Sequence, residues 1–114
     1  MKKVAIPIAN KIVSEYLCKC SHIAFYNMET KGIDLVKSEK IDFNNVNEVR
    51  FWIRNNGITD VLLHRIKKEL IETFTSERVN LFVGVPQVSA EEIIRAYRCG
   101  KLESDKKIIT EITN

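Results

Sequence analysis

Residues 60 to 64 read Asp60-Val61-Leu62-Leu63-His64, three large apolar residues in a row between two polar ones. A strand with one wetted face alternates apolar and polar side chains. A run that is apolar on both faces belongs inside a sheet covered on both sides, as a central parallel strand is. Val79-Asn80-Leu81-Phe82-Val83-Gly84 reads as a second buried strand. Between the two, Leu70, Ile71 and Phe74 mark the inner face of a helix over Lys67 to Glu77. Strand, helix, strand is the parallel crossover unit, so DVLLH decides for an α/β fold.

Upstream, Val46, Val49, Phe51, Trp52 and Ile53 recur at helical spacing after Asn44-Asn45, either of which can cap, and Asn56-Gly57 supplies a left-handed stop. Downstream, Ser89-Ala90-Glu91-Glu92 is a capping box that opens a third helix carrying Ile93, Ile94, Ala96 and Tyr97 and ending at Gly100. Three strands precede the first helix. Val4 to Ala9 is a short buried strand in which Pro7 removes one ladder donor, implying an irregular or partly unpaired position. Asn10 to Cys20 reads as a loop, and His22 to Met28 as a strand that turns at Glu29-Thr30-Lys31-Gly32. Ile33 to Lys40 alternates, with Ile33, Leu35 and Val36 expected inward in a half-exposed antiparallel strand. The elements run β-β-β-α-β-α-β-α, a mixed five-stranded sheet flanked by three helices in one domain over residues 1–102. Residues 103–114 form a polar C-terminal tail with one apolar pair, Ile108-Ile109, suited to an added edge strand or to disorder.

The bulk numbers agree with one domain. The chain has 114 residues, 45% hydrophobic and 29% charged, enough for a two-layer core without disulfides or a structural metal. Its net charge of +3 comes from scattered lysines and arginines, and its few aromatics sit at core spacing, so neither a basic arm nor a stacking platform for nucleic acid is present. MKKVAIPIANKIV begins like a secretory leader, but Pro7, Asn10 and Lys11 interrupt the apolar run, and no stretch approaches a membrane span. Three cysteines cannot all pair within one chain, and the simplest expectation is a reduced cytoplasmic protein. A flat edge strand near Ile33 leaves both a monomer and a homodimer open.

Two groups of residues carry candidate chemistry. In Cys18-x-Cys20-x-His22, two thiols and an imidazole, which suit iron or zinc, alternate along nine residues reading SEYLCKCSH. Alternate residues of a straight strand lie about 6.6 Å apart. Two thiolates on one zinc lie within about 4.6 Å of each other. Only a curled loop or a larger iron–sulfur cluster would therefore use all three. The plainer reading makes Cys18 and Cys20 small half-buried fillers and His22 a strand start. The second group is His64, Arg65, Lys67 and Lys68. His64 closes the central strand at the carboxyl edge where open α/β sheets bind ligands, and the basic residues precede a helix amino terminus that favours an anion. Against this stands a solvated charged turn with a capping histidine. Cys99, near the end of the last helix, reads as packing. No Ser–His–Asp order, phosphate loop or zinc-protease motif occurs.

The run VAIPIANKIVSEYLCKCSHIAFYNMET resembles the opening of the nitrogenase iron–molybdenum cofactor biosynthesis accessory family, in which a "VAIP" strand leads through a loop like "VSEHFGRAPYF" into a second strand. The resemblance continues through GITDVLLHRI and VNLFVGVP to VSAEEIIRAYRCGKL, similar to that family's "TVEEALEAYLAGKL" ending. It implies a ribonuclease-H-like fold with sheet order 3-2-1-4-5, which sets the first and fourth strands side by side and brings the Cys18 loop to the turn at His64. It also implies a non-enzymatic domain that binds or carries an iron–sulfur or iron–molybdenum-type cluster, with a cluster donor or acceptor protein as partner. The ligands would be Cys18, Cys20, His22 and His64, with Arg65 and Lys67 holding negative charge. Where the family has a histidine, this chain has Tyr16. Where the family has a glycine-rich turn, this chain has His64-Arg65-Ile66-Lys67-Lys68. These departures leave an alternative, an interaction module of the same fold without the cluster. Nucleases of the ribonuclease-H-like fold hold two metals with acids in the first strand and at the end of the fourth. Here those places are apolar and His64, so a nuclease is not expected.

Overall fold

The computed structural model describes residues 2–37 and 41–102. The strand continuation through Lys40 and the tail 103–114 lie outside the described residues. Within them an open mixed sheet is built from β1 (Lys3–Ala9), β2 (Ile12–Val13), β3 (His22–Asn27), β4 (Ile33–Lys37), β5 (Asp60–Leu62) and β6 (Asn80–Phe82). Three helices complete the fold, α1 (Val46–Asn56), α2 (Lys68–Ser76) and α3 (Ala90–Arg98). The strands lie in the order β4-β3-β1-β5-β6, with β2 pairing only β1. β1 runs antiparallel to β3 and parallel to β5, and β5 runs parallel to β6, so DVLLH does begin a central parallel strand.

The sheet has six strands where the sequence suggested five, because Asn10 to Cys20 is more than a loop. Asn10 and Lys11 both take positive φ, 54° and 70°, and turn the chain so that Ile12 pairs with Ala9 and Val13 with Ile8. A two-residue hairpin with both central φ positive is the tight turn that matches strand twist. β2 occupies the flank of β1 beyond the reach of β5, which pairs only with Val4 and Ala5. Pro7 lies past that pairing, where a missing donor costs nothing, and its carbonyl accepts from the Ser14 N–H at 2.8 Å.

Strand alternation sorts the core into two layers. Ala5, Ile23, Phe25, Val61 and Leu63 meet Val49, Trp52 and Ile53 of α1 and Leu70 and Phe74 of α2. On the other face Val4, Ile6, Ile8, Ala24, Tyr26 and Leu62 meet Ile93 and Ile94 of α3. The helix boundaries follow their caps. Asn45 Oδ1 accepts from the N–H groups of Asn47 and Glu48, Gly57 closes α1 at φ 64°, and Ser89 Oγ accepts from the Glu92 N–H. Two expectations fail. β4 has no buried residue, and Ile33, Leu35 and Val36 stay in part exposed to solvent, because β4 is a terminal strand of the sheet. Cys99 is exposed at the C-cap of α3 rather than packed. No described helix is long and apolar enough to cross a membrane.

Candidate functional site

The carboxyl ends of β1 and β5 are neighbours, and backbone hydrogen bonds fasten together the chain segments that leave them. Tyr16 and Arg65 form a parallel bridge. The Arg65 N–H donates to the Glu15 carbonyl at 3.0 Å, and the Leu17 N–H donates to the Arg65 carbonyl at 3.2 Å. The loop around Cys18 and the basic turn after β5 are thus one structural unit. Beneath it, Ser14 is buried and its hydroxyl donates to the Tyr16 carbonyl at 2.7 Å, while Leu17 is buried in the core on the α1/α2 side. Leu17–Lys19 form a single 3-10 turn, the short piece in which such geometry is tolerated.

That turn decides where the sulfur atoms go. Cys18 and Cys20 are half-buried and pack against the α1/α2-side core. His22 begins β3 in phase with Ala24 and Tyr26, which belong to the α3-side core, so strand alternation sends it to the opposite face. Its Nδ1 lies 2.9 Å from Ser21 Oγ. His64 is held on the α3 side as well, with Nδ1 2.9 Å from the Val85 carbonyl. A carbonyl only accepts, so Nδ1 is the donor, and the tautomer that this bond selects has its lone pair on Nε2. An Nδ1–H to backbone carbonyl bond is the support that orients a ligating imidazole. The structure therefore brings together the two loops but divides the expected donors, the cysteines on one layer and the histidines on the other. Among the described residues no group of three or more His, Cys, Asp and Glu is gathered to hold a metal ion.

What does converge is positive charge on an aromatic ring. The Lys19 ammonium stands 5.3 Å from the centre of the Tyr16 ring and the Arg65 guanidinium carbon 6.0 Å from it, within the range in which a ring face attracts a cation. Tyr16 and Lys19 were not singled out by the sequence as site residues. Their spacing of three, with an arginine on another strand end, is visible only once the loops are paired. Lys67 is drawn aside: it forms the N-cap of α2 through its backbone, and its ammonium donates to Asn44 Oδ1. A cavity of about 320 Å³ beside the loop is lined by Asn10, Ser14, Glu15, Lys19 and Gln87.

The opposite end of the sheet is built differently. Asp60, at the start of β5, is 1% exposed, and accepts from Thr59 Oγ1 at 2.8 Å and from Asn80 Nδ2 at 3.0 Å. Burial and then the Asp60 carboxylate hold the Tyr97 phenol above its ordinary value, with Lys2 pulling the other way. A cavity of about 460 Å³ lies beside this group.

No family model matches the chain, and no curated protein matches it. Solved structures do share its fold. PH0822 is 26% identical with a TM-score of 0.76, covering 90% of this chain and 94% of its own. A candidate NifB protein of the DUF35 family from Thermotoga superposes with a TM-score of 0.73 at 19% identity, covering 91% of this chain and 93% of that one. The apo form of the orange protein from Desulfovibrio gigas gives 0.72 at 8% identity, covering 92% and 93%. A candidate dinitrogenase from Methanocaldococcus jannaschii belongs to the same set of similar folds. At these identities the likeness establishes a shared mixed α/β fold over nearly the whole chain.

Proposed function

We propose that this chain is a ribonuclease-H-like domain of the nitrogenase-cofactor accessory type, a cytoplasmic, non-enzymatic binder or carrier whose cargo is an iron–sulfur-type metallocluster or its precursor. The observation that carries the reading is the Tyr16–Arg65 bridge, which fixes a loop bearing two thiols against a basic turn at the carboxyl edge of the sheet. Similarity of fold to a candidate NifB protein and a candidate dinitrogenase supports it. In this reading Cys18 and Cys20 supply soft donors, His64 offers Nε2, and Arg65 and Lys19 offset the charge of an anionic cargo. His22 takes part only if the loop rearranges, and Lys67 acts through charge. The donors being divided between two layers suits a site that closes on its cargo and releases it to an acceptor protein. A second reading, an interaction module of this fold without cargo, is favoured by the absence of a gathered ligand group among the described residues.

Anaerobic reconstitution with iron and sulfide, followed by a metal count and a visible spectrum, separates the two. The carrier reading expects a charge-transfer band with stoichiometric iron in the native chain and its loss in Cys18→Ser, Cys20→Ser. Equal, negligible iron in both proteins leaves the interaction module.

A further inference from the structure

Among the described residues no strand pairs with the outer side of β4, far from the carboxyl-end loops in the strand order. β4 pairs residue for residue with β3, Ile33 to Lys37 against Tyr26 to His22, with no bulge and no proline. Natural edge strands are commonly blunted by such features or by inward charges. β4 instead exposes three large apolar side chains, Leu35 at 59%, Val36 at 48% and Ile33 at 37%. Ile33 and Leu35 share a face, because their partners Tyr26 and Ala24 belong to the α3-side core.

The ladder also fixes which backbone groups are open. The Asn27 N–H donates to the Gly32 carbonyl, so residues 27 and 32 form a hydrogen-bonded pair. Such pairs alternate along an antiparallel ladder, which makes Phe25/Asp34 and Ile23/Val36 the next bonded pairs. Ile33, Leu35 and Lys37 therefore turn their N–H and C=O groups outward.

We propose that a second copy of this chain adds to β4, forming a symmetric antiparallel β4–β4 pair centred on Leu35 that continues the sheet across a homodimer. Self-complementarity selects both the occupant and the register. A two-fold axis normal to the sheet pairs residues of like parity, so Leu35 meets its own mate and Ile33 meets the mate of Lys37. Each of these pairs can exchange two backbone bonds through groups that the ladder leaves open. Centring on Asp34 or Lys37 would oppose like charges, which is destabilising. Centring on Leu35 overlaps the whole strand, sets Asp34 opposite Val36, and lays the Lys37 stem over Ile33 with its ammonium at the rim. Ile33 and Leu35 of both copies then form one apolar stripe.

The test is the weight-average mass of the full chain by sedimentation across a concentration series into the hundreds of micromolar, where mass action favours the associated state. The native chain should approach twice the 13.2 kDa monomer, and Leu35→Lys, which sets two ammonium groups opposite each other, should stay at 13.2 kDa with an unchanged circular dichroism spectrum. A native chain that remains at 13.2 kDa throughout overturns the proposal, as does a Leu35→Lys variant that dimerises equally well. Should Leu35→Lys not fold, amide exchange in the native chain decides. The Leu35 amide should gain protection as concentration rises while that of Val36, already bonded to β3, does not. A Leu35 amide indifferent to concentration overturns the proposal.

Discussion

The two ends of the sheet carry similar chemistry and use it in opposite ways. At the amino end of β5, a carboxylate, an amide and a hydroxyl converge at Asp60, and the buried acid accepts one hydrogen bond on each oxygen. At the carboxyl end the backbone makes the fastening, and the side chains of Tyr16, Lys19 and Arg65 are left at least partly accessible. A buried polar group that is fully satisfied stabilises and specifies a fold. Groups that converge on a loop while still accessible are placed to meet a ligand. Cavities lie at both ends, about 460 Å³ beside Asp60 and about 560 Å³ against Lys67 and Lys68 of the basic turn, so cavity size does not decide between them.

The contrast can be broken by mutation. The largest expected effect is Leu17→Ala, which removes the side chain that anchors the cysteine loop in the core and should cost about 3 kcal/mol in urea unfolding. Iron uptake should fall with it, since the loop loses its footing. Next is Asp60→Ala, which removes the acceptor of the Asn80 amide and leaves the Thr59 hydroxyl only the Lys3 carbonyl, and should cost about 1 kcal/mol. Iron uptake per folded molecule should be unchanged, because that knot lies at the far end; a loss of uptake would erase the distinction between the ends. The smallest effect belongs to an exposed contact between the segments that lead into β5 and β6. The Arg54 guanidinium, chiefly through its hydrogen bond, holds the Glu77 carboxyl below the ordinary value of 4.5. A lowered folded value means that the contribution is present above the ordinary value and lost as pH falls through the lowered one. Glu77→Gln should therefore unfold slightly earlier than the native chain at neutral pH and together with it in strong acid, as thermal melts at the two pH values would record.

Much of the fold was legible because it rests on periodicity. DVLLH, the three helical stripes and the Asn45, Gly57 and Ser89 caps all stand where their patterns put them. The failures have local causes. The β1–β2 hairpin was hidden because its tight turn is Asn10-Lys11, and lysine at φ 70° gives no sign of a left-handed residue. The alternation of Ile33 and Leu35 promised an inward face, but alternation cannot say whether a helix covers that edge, and none does enough to bury them. Of the site, the meeting of the two loops followed from strand adjacency. The division of the donors did not, because Cys18-x-Cys20-x-His22 reads as one face only if the chain is straight. The 3-10 turn at Leu17–Lys19 puts both cysteines on the α1/α2 side before β3 begins.

The central proposal is that the carboxyl-end loops, and not the cavity beside Asp60, receive the cargo. Amide spectra of the chain before and after anaerobic loading with iron and sulfide test it most directly. The account predicts that paramagnetic broadening removes the signals of Tyr16 to Ser21 and of His64 to Lys68 while Thr59, Asp60 and Asn80 stay sharp. Broadening centred on Asp60 and Asn80, or iron bound with no change in either loop, would contradict it.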